Sequence, residues 1–161
     1  MKPLSLPGLI LLPALLFTLL FSGCGTKAEA DNIPGQLSQL MARIYENAPN
    51  EDWPKRETYP IRSENMAYFL GVETLPMEEG LASEALSPAI PHSVCLIRLS
   101  DETAAETVKT QIKQQVDPHK WIFTGVEDED VIVDSIGDLV ILILSDDAGE
   151  LHRGFLSLRK N

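Results

Sequence analysis

The order of elements predicts an α+β domain of two layers, a mostly antiparallel sheet with helices packed on one face. Three observations carry that expectation. Three stretches repeat apolar residues at helical spacing, and residues 131–144 read as a β-hairpin. The strand-like runs are also too few, and too unevenly separated by helices, for a doubly wound sheet.

Leu37, Leu40, Met41, Ile44 and Tyr45 fall at i, i+3, i+4, i+7 and i+8, one face of an amphipathic helix. Asp31 or Asn32 is placed to cap its start, and Pro49 lies beyond its end. Residues 48–62 read as irregular, with prolines at 54 and 60 and the aromatics Trp53 and Tyr59 packed over the core edge or lining a binding site. Ser63-Glu64, then Met66, Ala67, Phe69, Leu70 and Gly71, suggest a short helix with a Ser cap and a terminal Gly. A strand is the alternative there. Leu81 to Leu86 reads as a short edge strand, and His92 to Leu99 as a buried one.

Ser100 is the expected cap of a second long helix, with Asp101 and Glu102 in its first turn, where the helix dipole favours negative charge. Its apolar stripe is Ala105, Val108, Ile112 and Val116, and Asp117-Pro118 stops it. A loop through Trp121 and Gly125 follows. Val131-Ile132-Val133 and Leu139 to Leu144 then flank Ser135-Ile136-Gly137-Asp138, a turn with Gly placed for positive φ. The second run has no polar alternation, so it is expected to be buried on both faces or central in the sheet. Asp147-Ala148-Gly149-Glu150 looks like a capping box before Leu151, Phe155 and Leu158, a terminal helix with Gly154 inside it. A closing edge strand is the alternative.

The N-terminus differs from all of this. A largely apolar run, Leu4 to Phe21, follows Met1 and the single charge Lys2, and Ser22-Gly23 precede Cys24. That is the layout of a secretory signal with small residues at its cleavage point. The stretch Leu19-Leu20-Phe21-Ser22-Gly23-Cys24 resembles the lipobox of bacterial lipoprotein precursors, departing from it in Phe21 where Leu is usual. The resemblance implies a diacylglyceryl group on the Cys24 sulfur, loss of residues 1–23, a tether over 24–33 and a single domain over 34–161. The competing reading is an uncleaved spanning helix, long enough for a bilayer but interrupted by Pro7, Gly8 and Pro13. A second resemblance is looser. The N-terminal helix, Phe69-Leu70-Gly71-Val72, Cys95-Leu96-Ile97-Arg98-Leu99 with its helix, and Asp138-Leu139-Val140-Ile141-Leu142 look like small lipoproteins of unknown function from Gram-positive anaerobes. No site residue comes with it.

Removing 23 of 161 residues leaves 138, a length suited to one domain with its own core. That chain keeps 24 acidic residues and, without Lys2, 12 basic ones, a formal charge of −12. Such a balance argues against nucleic acid, which needs Lys and Arg on phosphates, and against electrostatic adhesion to anionic lipid. A tether to the membrane would have to be covalent. With Cys24 lipidated, Cys95 has no partner in the chain, and its setting, Val94-Cys95-Leu96-Ile97, suits a small buried hydrophobe.

Motifs for chemistry are sparse. Glu127-Asp128-Glu129-Asp130, with Asp134, Asp138, Asp146 and Asp147 downstream, offers carboxylates to a cation such as calcium, but the spacing does not match an EF-hand loop. A solvated turn is the plainer reading. His92, His119 and His152 are far apart, with no zinc spacing. Ser157 and Lys160 match S-x-x-K by chance, without the other motifs of penicillin-binding enzymes. No catalytic residue, metal or cofactor is expected. The expectation is a membrane-anchored extracytoplasmic lipoprotein, held by lipid on Cys24, that serves as an interaction or assembly module with a protein partner at the cell envelope. The alternative is a small-ligand or cation-binding lipoprotein accessory to a transporter, with an envelope hydrolase ranked last.

Overall fold

The computed structural model describes residues 32–50 and 52–160. Cys24, the leader and most of the tether lie outside them. Among the described residues the elements run α1 (Leu37–Asn47), β1 (Arg56–Pro60), α2 (Met66–Leu70), β2 (Met77–Ala85), β3 (His92–Leu99), α3 (Ala105–Gln115), β4 (Val131–Ile136), β5 (Leu139–Ser145) and α4 (Ala148–Leu156). The five strands form one antiparallel sheet in the order β1-β2-β3-β5-β4. The chain is thus α+β, as the pattern of elements predicts.

The helices, however, cover both faces of the sheet. Alternate residues of β3 and β5 point opposite ways. Val94, Leu96, Leu139, Ile141 and Ile143 pack with Leu37, Leu40, Ile44, Leu151 and Phe155, from α1 and α4. Cys95, Ile97, Val140, Leu142 and Leu144 pack with Phe69, Leu70, Val108 and Ile112, from α2 and α3. Strands apolar at every position need cover on both sides. That corrects the expectation of helices on one face.

Several local expectations shift for identifiable reasons. The stretch read as irregular contains β1, an edge strand whose five residues are all exposed, so it carries no apolar alternation. β2 is longer than residues 81–86 and lies between β1 and β3, not at the edge. Gln36, not Asp31 or Asn32, precedes α1. Asn65 rather than Ser63 precedes α2, and Gly71 ends it in the left-handed region at φ 74°. Ser100 donates to the Pro76 carbonyl, while Asp101 caps a 3₁₀ turn (Glu102–Ala104) that leads into α3. The hairpin turn is as expected, with Gly137 at φ 55°. The C-terminal segment is helical, and Asp147 precedes it. The Asp147 side chain makes no capping bond and Glu150 pairs with Arg153, so the expected capping box does not form.

The sheet has two unlike ends. The starts of β1, β3 and β4 meet the finishes of β2 and β5 at the His92 end, with residues 86–91 and 117–130 looping there. The Leu99 end carries the Gly137-Asp138 turn and the incoming segment from Asn32. That segment is clamped: Arg98 Nη1 pairs with Asp138 at 2.6 Å, and Nη2 donates to the Ile33 and Gly35 carbonyls, both at 3.1 Å. The Asp138 amide donates to Asn32 Oδ1 at 2.9 Å.

Candidate functional site

A buried polar network, an open cleft and an exposed apolar pair stand at the His92 end. β3 begins at His92, which the strand's inward alternation drives into the core with only 1% of its surface exposed. Its Nε2 lies 2.8 Å from the Tyr45 hydroxyl of α1, and its Nδ1 lies 2.9 Å from Ser145 Oγ at the end of β5. Tyr45 donates to Ser83 Oγ on β2 at 3.2 Å. Ser145 Oγ accepts from the Asp147 amide at the head of α4. With Tyr45 donating to Ser83, the other protons follow: Nε2–H donates to Tyr45 and the Ser145 hydroxyl donates to Nδ1. One neutral imidazole thereby joins α1, β2, β3 and β5. Burial, with a smaller push from Arg56, pulls His92 down to about 4. Burial likewise pushes Tyr45 up to about 12.

Above this network is an open cleft of about 670 Å³ lined by Tyr45, Glu46, Asn50, Trp53 and Arg56, among others. The Arg56 guanidinium stands 3.7 Å over the Tyr45 ring, and Trp53 meets that ring edge-on at 5.4 Å. Trp53 therefore packs over the core edge and also walls a cleft. Its Nε1 is buried without a hydrogen-bond partner among the described residues. Tyr59 instead lies on the exposed β1 and stacks on Phe69.

On the other face a loop is pinned at both feet. Lys120 Nζ pairs with Glu84 and donates to Ser93 Oγ at 3.1 Å, and it sits 4.6 to 5.3 Å from the ring centroids of Tyr68, Trp121 and Phe69. At the other foot Val126 is buried, and its amide donates to the Pro118 carbonyl at 3.0 Å. Between the feet project Ile122 and Phe123, each 83% exposed. Two adjacent large apolar side chains are thus held out in water by an ordered base. Singly exposed hydrophobes are ordinary, but a concentrated patch marks a contact surface.

The residues singled out by sequence are dispersed. Cys95 is buried with its thiol pushed up to about 11, mainly by burial, as suits a small hydrophobe. Of the 127–130 run, Asp128–Asp130 form a 3₁₀ turn before β4, and Glu127 precedes it in extended conformation. Asp134 is taken up by His152 at 2.7 Å and Lys109 at 3.8 Å, and Asp138 by Arg98. Burial would raise the Asp134 carboxyl, but bonds from His152 and the Ser135 amide, with Lys109 nearby, outweigh it and hold it below its usual range. His119 is exposed, and Ser157 merely donates to the Gly154 carbonyl. Among the described residues, no group of three or more His, Cys, Asp or Glu is placed to hold a metal ion. Missed from sequence were the His92 network, whose partners lie 47 and 53 residues away, and the Ile122-Phe123 tip. The dipeptide itself was the available signal, an apolar pair inside a loop bounded by Pro118 and Gly125. Comparison with family models, curated proteins and solved structures gives no match to the chain.

Proposed function

We propose that this protein is a lipid-anchored extracytoplasmic domain that works by docking a protein partner rather than by turnover. One observation carries the docking half: Ile122 and Phe123, presented on a loop fixed by Lys120, Trp121 and Val126. Burying both against a partner would return roughly 3–5 kcal/mol before the costs of association. The anchoring half rests on Leu19 to Cys24 and on the acidic balance of the chain, which gives no electrostatic hold on an anionic bilayer. A diacylglyceryl group brings two acyl chains, which is what stable anchoring takes. In the envelope of the native cell, a photoreactive side chain at position 123 should yield a discrete protein adduct, lost when Ile122 is also replaced by Ser. Absence of any protein adduct would refute docking through this loop.

A second reading is favoured by the cleft beside α1. Trp53, Tyr45, Arg56 and Glu46 supply an aromatic wall with one cation and one anion, suited to a small polar ligand. A thermal-shift screen with small metabolites tests it. Stabilisation that disappears in Trp53→Ala would transfer the function to the cleft, and no shift across the screen would remove that reading.

A further inference from the structure

We infer that the docking partner presents a basic surface around an apolar pocket, and that it is met at the His92 end, which points away from the bilayer. The inference rests on the anchored, docking reading above and adds the partner's charge and the direction of approach. Three placements support it.

The first is the Arg98 clamp. It holds Ile33, Gly35 and Asn32 at the Leu99 end, so the chain toward Cys24 leaves from there. The eight steps from Cys24 to Asn32 span at most about 28 Å when fully extended, and the eight residues of β3 run about 27 Å. Attached at the Leu99 end by a segment that at full extension only about matches the strand, the domain in this reading turns that end to the membrane.

The second is apolar exposure. Besides Ile122 and Phe123, Leu86 is 58% exposed and Ile90 42%, and both lie in the loop joining β2 to β3. All four stand at the His92 end.

The third is charge. Asp117, Glu127, Asp128 and Glu129 are exposed on the same loop as the apolar tip, and Asp146 follows β5 beside them. Asp146 and Asp130 meet at the head of α4, where the Asp147 carboxyl is raised by burial and then by Glu150, Asp146 and Asp130. The cation within this loop, Lys120, pairs with Glu84, and Lys113 of α3 borders a cavity with Asp128, so the five carboxylates stay in excess. Lys55 and Arg56 lie apart, at the β1 corner, with Arg56 over the Tyr45 ring. An apolar tip with an acidic collar repels anionic lipid and complements a cationic rim.

The test uses the full mature chain and two fluorescent amphipathic peptides, one of Leu and Lys and one of Leu and Glu. The Lys peptide should bind and the Glu peptide should not. Ile122→Ser with Phe123→Ser should weaken binding about tenfold, roughly the effect of losing one good apolar contact. Asp128→Asn with Glu129→Gln should weaken it several-fold. Glu78→Gln with Glu102→Gln makes the same charge change near the Leu99 end and should leave binding unchanged. Equal loss from both charge pairs, or full binding by the Ser variant, would overturn the inference. In native membranes, lipid adducts from a photoreactive group at 123 would also overturn it, whereas lipid adducts from position 100 are expected. Cys24→Ala separates the two claims: peptide binding that survives with unchanged membrane retention removes anchoring alone, and normal anchoring without peptide binding removes docking alone.

Discussion

His92 occupies a position where carrying a charge is costly. Its folded pKa, about 4, lies below its ordinary value of 6.5. Above pH 6.5 neither state holds the proton, and the neutral imidazole contributes its full stability. As the pH falls from 6.5 toward 4, the unfolded chain takes up a proton that the folded protein refuses, and stability is lost. The loss between pH 7 and 4.5 is expected to be about 2–3 kcal/mol, read by urea unfolding at the two pH values. His92→Asn should remove most of this slope, and an unchanged slope would contradict the account. Tyr45→Phe leaves buried partners on Ser83 and His92 without their bonds and should cost about 1–3 kcal/mol. None of this was legible in the sequence. Three histidines at wide intervals say nothing until the register of β3 against β5 sets His92 opposite Ser145.

Two glycines of α4 separate packing from propensity. A Cβ on Gly154 would strike the Ile44 carbonyl of α1, while one on Gly149 meets only the far end of Arg153. Gly154→Ala gains about 1 kcal/mol of helix propensity but forces apart two helices in backbone contact, which costs about 1–3 kcal/mol. It should therefore destabilise or at best break even, whereas Gly149→Ala should be neutral or stabilise by under about 1 kcal/mol. Thermal unfolding of the pair decides, and the reverse order would contradict the close α1–α4 approach. The Arg98 clamp is likewise an element-scale device. Arg98→Ala leaves Asp138 partly buried without its cation and should cost about 2 kcal/mol, with faster hydrogen exchange over residues 33–40. The helices could be read ahead of the fold because a 3.6-residue apolar stripe survives in α1, α3 and α4. A Gly inside a helical pattern normally weakens it, and the use of Gly154 is hidden from the sequence because it is a contact with a helix more than a hundred residues earlier in the chain. β1 escaped notice because an edge strand with Pro60 and no buried face has no alternation to read.

For the whole molecule, the antiparallel α+β class followed from the hairpin and the helical stripes. The two-sided cover did not, although the unbroken apolar run of β5 already required it. The sandwich places its polar network, its cleft and its apolar tip at one end of the sheet, and the exit of the N-terminal segment at the other. That polarity suits a domain tethered at one end and engaged at the other. Its premise is the lipid on Cys24, and the intact mass of the protein extracted from its native membrane tests this most directly. The account predicts a chain that begins at Cys24 and carries the added mass of a diacylglyceryl group. A chain that retains residues 1–23, or one with an unmodified Cys24, would contradict it.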